Sequence, residues 1–436
     1  MCFSKYIIFS TWATSVLDIT YLFNRKNVII VNRYLTPVNM EYKYRSKVLD
    51  SLGVRSWINA SNWSTNIGGT WIDDRVLDSM NEVAKTFVDM NELFRKADEK
   101  IAKLCCVEEA HITTGTGAAM ELSVAACMAG NSFGNWIKLP KTEGMKNEVV
   151  MPRGHVIAYT PQWTASGANV IEYGQAGTLS SFKKEIESVI NEKTCCLAYT
   201  ISYNTVPRGR VPLEEVIEIG ETYDLPVIID AASDIPPVSN LHKFTDMGVD
   251  IVCFSGGKAI KAPNNTGMML GQGRGNKIIK AVREHSFPHH GWGRGHKISK
   301  EQIVGLVVAL EIFIKEGDSL YEKQMETAKY FLEQLADIQG VSVKIIPNDE
   351  TYHEHPIMPH VPRVLLEWDR DKIGFSGKDL DIAISVEDPP IFLRNRHYFN
   401  YYTNKEWRLI DTFYLREDEK KIVSERLRKI FNEKNP

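Results

Sequence analysis

From about residue 100 onward, short apolar segments alternate with longer segments that have the period of an amphipathic helix. Most of the short segments are apolar at every position, which is typical of strands that helices cover on both faces. This alternation predicts an α/β fold built from βαβ units around a mainly parallel sheet. The predicted strands are 111–113, 156–159, 168–172, 195–201, 226–229, 251–254 and 268–270, with helices such as 118–129 and 213–222 between them.

A smaller α+β unit is predicted after residue 300. Ser299 and Gln302 form a capping box, in which the hydroxyl accepts from the backbone of Gln302 and the amide side chain reaches back. Apolar residues then recur at helical spacing, and a second helix is predicted over 320–338. The remaining predicted elements are strands 341–346, 363–368, 391–394 and 408–414 and a polar helix over 417–431.

The first 55 residues are predicted to form an N-terminal arm or extension ahead of a large domain over 56–300 and a small domain over 301–436. Residues 6–17 are uncharged and partly apolar, but hydroxyl side chains interrupt them and Asp18 ends them. They fall short of the ~20 residues that span a bilayer, and no small-residue cleavage site follows. We therefore expect no signal peptide and no membrane anchor.

Composition and charge exclude several classes of protein. The 436 residues suit two packed domains or one large α/β body, and 43% hydrophobic with 25% charged residues excludes a disordered or fibrous chain. A net charge of -3 gives no general attraction to nucleic acid or anionic lipid. The seven cysteines are odd in number and include no C-x-x-C, so they predict neither a disulfide framework nor a zinc site and favour the reducing cytoplasm.

A glycine-rich turn joins a predicted strand to a predicted helix at 113–118, with the sequence Thr-Thr-Gly-Thr-Gly-Ala. Glycines let backbone N–H groups approach an anion, and the positive end of the helix dipole favours negative charge. This turn is therefore a candidate phosphate site. An ordinary strand-to-helix connection is the alternative.

An acidic side chain, Asp230, follows the apolar strand predicted at 226–229. A carboxylate at the carboxyl end of a buried strand stands at the edge of the sheet where ligands bind in this architecture. The alternative is an N-cap for the next helix.

A lysine, Lys258, lies just beyond the apolar strand 251–254 in a turn flanked by glycines. Partial burial would lower its pKa and make the neutral amine available as a nucleophile. Ser255 and Lys258 also have the Ser-x-x-Lys spacing of penicillin-binding serine hydrolases, but the Ser-Asp-Asn and Lys-Thr-Gly partners of that family are missing.

The three features together suggest pyridoxal 5′-phosphate (PLP), which has a phosphate, a ring nitrogen and an aldehyde. The turn would hold the phosphate, Asp230 would keep the ring nitrogen protonated, and Lys258 would form an imine with the aldehyde. The 28 positions from Asp230 to Lys258 (258 − 230) leave room for one helix and one strand.

Several segments resemble fold-type-I PLP enzymes related to bacterial selenocysteine synthase, in particular the branch that contains D-glucosaminate-6-phosphate ammonia-lyase. In the selenium transferases the residue before the lysine is usually aspartate, whereas here it is Gly257, and the short arm is a poor substitute for their RNA-binding domain. The resemblance runs from about residue 42 to the C-terminus, and the segments that carry it are 52–60, 88–93, 255–258, 263–267, 293–297 and 387–391.

The resemblance implies roles for individual residues. Lys258 corresponds to the imine lysine, Asp230 to the partner of the ring nitrogen, and the turn at 114–117 with Ser255 to the phosphate cradle. His155 corresponds to a position that stacks on the ring or moves protons, although a core histidine is the alternative. Arg394 corresponds to a small-domain arginine that binds a substrate carboxylate, with a surface ion pair as its alternative.

A basic loop around Arg294 suits an anion, either the cofactor phosphate of a neighbouring subunit or an acidic group of the substrate. The loop also contains His289, His290, His296 and Lys297. We expect no metal there, because no acidic ligand lies beside the histidines in the sequence. His353 and His355 are expected in a solvated loop.

The resemblance implies a PLP-dependent lyase that converts a β-hydroxy amino acid, or an amino-sugar acid, to a 2-keto acid and ammonia. A racemase, aldolase, aminotransferase, seryl-tRNA selenium transferase or inactive binding protein remains open. A homodimer or larger homo-oligomer is expected, with no nucleic acid or membrane partner. Trp63 stands where relatives tend to have small residues, so a pocket that it lines would have a different shape.

Overall fold

The computed structural model describes residues 19–24, 27–32, 42–174, 182–201, 211–346, 361–394 and 405–434. The segment 6–17, His353 and His355 lie outside this part of the chain. The strands are β1 Ile19–Asn24, β2 Asn27–Asn32, β3 Ile58–Ala60, β4 Glu109–Thr113, β5 Glu148–Pro152, β6 Asn169–Tyr173, β7 Thr194–Thr200, β8 Val227–Asp230, β9 Ile251–Ser255, β10 Gly267–Gly271, β11 Val341–Ile346, β12 Arg363–Asp369, β13 Ile391–Leu393 and β14 Lys405–Asp411.

Helices connect these strands and cover the large sheet. They are α1 Lys47–Ser51, α2 Asp74–Ala84, α3 Met90–Leu104, α4 Gly115–Ala129, α5 Phe133–Lys138, α6 Pro161–Thr164, α7 Lys183–Val189, α8 Leu213–Thr222, α9 Asn240–Asp246, α10 Gly275–His285, α11 Lys300–Glu316, α12 Leu320–Leu335, α13 Arg370–Ile373, α14 Gly377–Val386 and α15 Glu417–Lys434, with short 3₁₀ helices at Thr65–Ile67, Arg153–His155 and Gly317–Ser319.

The large sheet has the strand order β4-β10-β9-β8-β7-β5-β6. The strands β9, β8, β7, β5 and β6 are parallel to one another. The strand β10 runs antiparallel to both β4 and β9. The central strands are buried at every position because helices cover both faces. The predicted α/β fold with a mainly parallel sheet is confirmed.

One predicted strand is wrong. Residues 156–159 are not a strand but part of a turn after a 3₁₀ helix, and Val156 and Tyr159 are exposed. The strand at this place is β5, which lies eight residues earlier and pairs with β6 and β7. A short apolar segment is therefore not sufficient to predict either a strand or its burial.

The small C-terminal unit contains the antiparallel sheet β11-β12-β14 and a parallel pair formed by β13 and β3. Its core includes Ile58 together with Phe331 and Trp368, whereas α11 places Leu306 and Leu310 in the core of the large unit. The boundaries at 55 and 300 remain predictions. The two cores favour assigning 42–60 to the small unit and α11 to the large one.

The helix α4 is central to the large unit. Nearly all of its residues are buried, and it contacts β7, β8, β9 and β10. A helix that is apolar on all sides has its axis fixed by packing around its circumference. The first turn of α4 is therefore held in a constant position relative to the sheet. Across the described ranges, the structure contains no helix with the length and apolarity needed to cross a membrane.

Candidate active site

The sheet register brings the three predicted features to one edge. Gly267, the first residue of β10, lies opposite Thr113 of β4 and Ser255 of β9. Asp230 ends β8 and lies opposite Cys253 of β9. Because β4, β8 and β9 all end at this edge, the glycine-rich turn, the aspartate and the segment leading to Lys258 meet there.

A cavity of about 240 Å³ opens at this edge. It contains most of the predicted residues together with several that the sequence did not single out. Lining residues come from the turn after β4, the ends of β8 and β9, and the segment after β3. They are Trp63, Thr65, Gly69, Gly115, Thr116, Gly117, Met120, Tyr159, Gln162, Ile201, Asp230, Ala232, Ser233, Ser255, Gly257, Lys258 and Asn264.

The glycine-rich turn packs closely against the start of β10. A Cβ atom added to Gly267 would lie 2.4 Å from the carbonyl carbon of Gly115, so only glycine permits this approach. Gly115 itself has φ +85, in the left-handed region that glycine adopts without strain. These two glycines place the first turn of α4 at the wall of the cavity. Thr114 precedes that helix and is half-buried.

Thr116 carries a polar atom that suits an anion. Its hydroxyl is buried and has no hydrogen-bond partner within the described residues, although it lies in the first turn of α4 at the cavity wall. A buried donor without a partner costs about 1–3 kcal/mol unless a ligand or water pairs with it. The positive end of the helix dipole makes an anionic ligand the favoured one.

Asp230 presents a buried carboxylate to the cavity. Its Oδ1 accepts a hydrogen bond from the backbone N–H of Ala232 at 3.0 Å. Burial raises the pKa of Asp230 above its usual value, while the charge of Lys258 and the bond from Ala232 oppose that rise. The alternative of an N-cap is wrong, because the next helix begins at Asn240 with Ser239 at its cap.

Lys258 lies in the turn after β9, outside the hydrogen-bond ladder of the sheet. Burial lowers its pKa, and the carboxylates of Asp230 and Asp234 counteract part of that change. A lowered pKa leaves more of the amine neutral near pH 7, and the neutral amine is the nucleophilic form. A buried amine beside a buried carboxylate at the end of a sheet is thus the chemical centre of the cavity.

His155 is completely buried but is absent from the described lining of the cavity. Its Nδ1 accepts a hydrogen bond from the backbone N–H of Thr200 at 3.1 Å, and its ring lies edge-on to Tyr199 with 4.3 Å between centroids. Accepting at Nδ1 requires a lone pair there, which corresponds to the neutral ring with its proton on Nε2. Its predicted role in stacking or proton transfer remains a prediction.

Arg394 is also buried and lies outside the described lining. Its Nη1 is 3.7 Å from Oδ2 of Asp411, which also receives a 2.8 Å hydrogen bond from Nε of Arg363. The alternative of a surface ion pair is wrong, because Arg394, Arg363 and Asp411 are all buried. Binding of a substrate carboxylate by Arg394 remains a prediction.

Arg294 lies in a loop away from the described lining of the cavity, with its guanidinium 5.1 Å from the ring centroid of Phe287. The same loop is attached to α4, because Nε1 of Trp292 donates to Glu121 at 2.6 Å and His296 lies 3.2 Å from it. An acidic side chain therefore does lie beside one histidine of this loop, although it is distant in sequence. The predicted anion contact of Arg294 remains a prediction.

The cavity includes residues to which the sequence gave no role. Asn264 belongs to the segment that carries the family resemblance, and its side chain packs where a Cβ on Gly69 would be only 2.3 Å away. Tyr159 and Gln162 come from the region that was predicted to be a strand. Trp63 does line the cavity, so the pocket has the large side chain at the position where relatives tend to have small residues.

Comparison with known proteins supplies the family. A model of the family described as aminotransferase class-V matches residues 78–358, more than half of the chain. The chain belongs to this family. PLP is therefore its cofactor, and the predictions of PLP and of an enzyme of the fold-type-I class are confirmed.

Three relatives of this class-V family member have different activities in their names. The D-glucosaminate-6-phosphate ammonia lyase of Salmonella typhimurium is 27% identical over 387 residues, covering 88% of this chain and 97% of that protein. A solved structure of an ammonia-lyase of that name covers 90% of this chain and 100% of its own, at 25% identity and a TM-score of 0.75. The lyase class that the sequence predicted is confirmed at this level of similarity.

The other two relatives extend the comparison. A 5'-C-glycyluridine monooxygenase-decarboxylase of a Streptomyces species is 29% identical over 363 residues, covering 82% of this chain and 84% of that protein. The L-seryl-tRNA(Sec) selenium transferase of Aquifex aeolicus is 23% identical over 403 residues, covering 84% and 83%. The predicted kinship with selenocysteine synthase is confirmed.

The residues of the cavity fit PLP. The lone Thr116 hydroxyl and the start of α4 suit its phosphate, the Asp230 carboxylate suits a protonated ring nitrogen, and the Lys258 amine suits its aldehyde. Ser255 lines the same wall as the glycine-rich turn. The roles themselves remain predictions for each residue, and the following substitution tests the phosphate contact.

Replacing Thr116 by valine should weaken PLP binding about 10- to 100-fold, because a hydrogen bond to a charged group contributes about 1.5–3 kcal/mol. Equilibrium titration of the apoenzyme with PLP measures the change. Thr164→Val is the matched control, since its hydroxyl bonds the carbonyl of Pro161 within the helix α6 and Thr164 is not among the described residues that line the cavity. Equal affinity in the two variants would remove Thr116 from the phosphate site.

Proposed function

We propose that this enzyme is a PLP-dependent ammonia lyase that acts on 2-amino-3-hydroxy acids, including amino-sugar acids. The observation that carries the proposal is the buried Lys258 amine beside the Asp230 carboxylate in a cavity whose wall is the first turn of α4. The similarity to D-glucosaminate-6-phosphate ammonia lyase over nearly the whole of that protein supports the reaction type.

The net reaction removes the α-proton and the β-hydroxyl of the substrate, so that water leaves and an enamine forms. Addition of water to the enamine then gives a 2-keto acid and ammonia. When bound, PLP supplies an electron-withdrawing ring that stabilises negative charge at the α-carbon of the amino acid. Elimination also requires a base at the α-carbon, an acid for the departing hydroxyl and a stable charge partner for the ring.

The chain offers one residue as the base at the α-carbon and another as the charge partner of the ring. Lys258 takes the α-proton, because burial lowers its pKa and keeps a neutral fraction available near pH 7. Asp230 would supply the carboxylate for the protonated ring nitrogen, whose positive charge would favour the ionised carboxylate against the effect of burial on its pKa, and the low-dielectric surroundings would strengthen that interaction. His155 is a poorer base, because its Nδ1 already accepts from Thr200. Lys258, once protonated, can also serve as the acid for the departing hydroxyl, because it lines the same cavity.

A substrate panel tests the proposal. Purified holoenzyme is incubated with amino acids that differ in the β-substituent, namely a free hydroxyl, a hydrogen, or a hydroxyl within an amino-sugar acid with and without a terminal phosphate. Equal amounts of ammonia and 2-keto acid from the β-hydroxy compounds are expected, with no product from the β-hydrogen compounds. Loss of optical activity without release of ammonia would identify a racemase. Formation of an aldehyde would identify an aldolase. Formation of a keto acid while the amine stays on the cofactor would identify an aminotransferase.

Oxidative decarboxylation is a second candidate, favoured by the similarity to the 5'-C-glycyluridine monooxygenase-decarboxylase. The rings of Trp63 and Tyr159 at the cavity would suit the flat base of a nucleoside-linked amino acid. Oxygen uptake and release of carbon dioxide with such a substrate, and no ammonia from the hydroxy amino acids, would replace the lyase by this activity.

Trp63 is proposed to set the size of the substrate that the cavity accepts. Its backbone N–H donates to the side chain of Asn62 at 2.7 Å, and its ring packs edge-on against Phe413 with 5.4 Å between centroids. Asn62 has φ +79, so the main chain here is held in an uncommon conformation. The indole is therefore a fixed wall and not a mobile side chain.

Replacing Trp63 by alanine should raise kcat/KM for bulky hydroxy amino acids relative to small ones by at least about tenfold, since one or more contacts of about 1–3 kcal/mol change. Kinetics on a short and a long member of the panel measure the ratio. Tyr223→Ala, an exposed aromatic at the end of α8, is the control. An unchanged ratio in the Trp63 variant would place the specificity elsewhere.

We also propose a homodimer or larger homo-oligomer that works in a reducing compartment such as the cytoplasm. Exposed apolar side chains, including Phe87, Val48 and Leu52, support an interface between copies. The cysteines of the described part carry free thiols. Sedimentation at the mass of a single chain would contradict the assembly.

A further inference from the structure

Lys258 is held by residues from both units of the protein through its main-chain carbonyl. The hydroxyl of Tyr414 donates to this carbonyl at 2.8 Å, and the backbone N–H of Lys261 donates to it at 3.0 Å. Tyr414 follows β14 of the small unit, 156 residues further along the chain. The carbonyl therefore receives one donor from its own turn and one from the other unit.

These contacts matter because no strand fixes Lys258. β9 ends at Ser255, and Lys258 lies in the irregular segment that follows. A residue outside a hydrogen-bond ladder takes its main-chain position from such local contacts. The side chain of Lys258 enters the cavity from this main-chain position, so a displaced carbonyl would displace the amine as well.

Lys261 has an unusual conformation that accompanies its hydrogen bond. Its φ is +59, which is uncommon and costly for a residue with a long side chain. The conformation is held by the side chain, whose Nζ lies 4.1 Å from the ring centroid of Trp71 and 5.2 Å from that of Phe413. Such cation–π contacts stabilise a desolvated ammonium group.

The aromatic residues form a cluster that joins the two units. Phe413 and Tyr414 follow β14 of the small unit but pack in the core of the large unit, their centroids are 4.9 Å apart, and both are buried. Trp71 precedes α2 of the large unit, and its Nε1 donates to the carbonyl of Tyr414 at 3.4 Å. The backbone N–H of Phe413 in turn donates to Oδ1 of Asp411 at 3.0 Å. The segment that presents the Tyr414 hydroxyl is thus anchored on both sides.

We propose that Tyr414 and Lys261 are positioning residues for Lys258, which hold its carbonyl from the segment after β14 and from its own turn, so that seating of the β14 segment in the core of the large unit sets the direction in which the lysine side chain enters the cavity. Neither residue touches the reacting atoms. Burial lowers the pKa of Lys261 to about 8, which agrees with its enclosure by the aromatic cluster. The proposal concerns attachment of the cofactor and does not depend on which substrate the enzyme uses.

The test measures attachment of PLP to Lys258 in the Tyr414→Phe variant. Apoenzyme is mixed with PLP, and the absorbance change of covalent attachment is followed in a stopped-flow instrument. Loss of one hydrogen bond from the carbonyl should slow attachment about three- to tenfold. Affinity for pyridoxamine 5′-phosphate, which has no aldehyde, should be unchanged, because the phosphate and ring contacts are untouched.

Tyr330→Phe is the matched control, since it removes a hydroxyl that bonds Ser424 at 3.2 Å within the small unit, between α12 and α15. It should attach PLP at the wild-type rate. If Tyr414→Phe fails to fold, Lys261→Gly provides the measurement, because glycine retains the N–H donor and the positive φ but loses the aromatic contacts. An about tenfold or larger slowing of attachment is then expected, by the order of magnitude of a desolvated cation–π contact.

Attachment in the variant at the rate of Tyr330→Phe would overturn the proposal. So would a parallel loss of pyridoxamine 5′-phosphate affinity, because that result would indicate a general disturbance of the cavity. Slower attachment with unchanged affinity for the analogue, in an enzyme that releases no ammonia from any hydroxy amino acid, would leave the positioning role intact and remove only the proposed lyase reaction.

Discussion

Replacing Lys258 by alanine should abolish both the covalent attachment of PLP and turnover, with a fall in kcat of more than about 10³-fold. The variant loses the nucleophile for the aldehyde and the proposed base for the α-proton at once, and the loss of the base alone is worth about 10²–10⁴. Absorbance spectra of the purified protein and an ammonia-release assay measure the two losses. Partial recovery of turnover by an added primary amine would agree with the loss of a base.

Two controls separate this loss from a failure to fold. Lys280→Ala removes an exposed lysine on α10 and should retain the cofactor and full activity. The Lys258 variant should also melt close to the apo form of the wild-type enzyme, because a buried amine is costly rather than stabilising. Full ammonia release by the Lys258 variant would end the lyase proposal.

Replacing Asp230 by asparagine should lower kcat by about 10²–10³-fold, while PLP still attaches to Lys258. The amide has the shape of the carboxylate but carries no charge, so it cannot hold a proton on the ring nitrogen, and removal of one preorganised electrostatic partner has effects of this size. Steady-state kinetics and the covalent-attachment assay measure the two properties. Asp89→Asn, at the exposed N-cap of α3, is the control because asparagine caps a helix equally well.

The apo form of the Asp230 variant should be no less stable than the apo wild-type enzyme at pH 7. Burial raises the folded-state pKa of Asp230, so the folded chain binds more protons than the unfolded chain between the two pKa values. Stability is lost as the pH rises through that interval, and above it the full cost of a buried carboxylate is present. Asparagine removes this cost. A large loss of stability in the apo variant, measured by thermal unfolding, would indicate a structural role for Asp230.

Local patterns were sufficient for elements with one buried and one exposed face. The strand β11 and the helix α8 have the predicted bounds, because alternation of apolar and polar residues in a strand and an amphipathic period in a helix both carry their signal locally. The antiparallel direction of β10 was not predicted, since Gly267–Gly271 is apolar on both faces, as are the parallel strands of the same sheet. Strand direction follows from the connection and leaves no mark in such a segment.

The chemical centre was predictable because its residues stand at the ends of strands. Asp230 and the turn at Gly115 each follow a buried strand, and parallel strands place their carboxyl ends together. The walls were less predictable. From the sequence, Trp63 could be given an effect on the pocket only on the condition that its segment lines the cavity. Tyr414 contacts Lys258 from the segment after β14, 156 residues away, so nothing in its own segment predicted this contact.

The predicted arginine at 394 illustrates a further limit. A resemblance can indicate that a side chain binds a carboxylate, but it does not indicate which carboxylate. Among the described residues, Arg394 lies 3.7 Å from the carboxylate of Asp411, which also contacts Arg363. Both partners are distant in sequence, and their burial became apparent only from the packing of β12 and β14.

The most direct test of the account is to locate the amine that carries the cofactor. The holoenzyme is reduced with borohydride, digested, and mapped by tandem mass spectrometry with fragments that separate Lys258 from Lys261, three residues away. We expect a single modified residue, Lys258, and no label after reduction of the Lys258→Ala variant. A label on Lys261 or another lysine in the wild-type enzyme, with Lys258 unmodified, would contradict the assignment of this cavity.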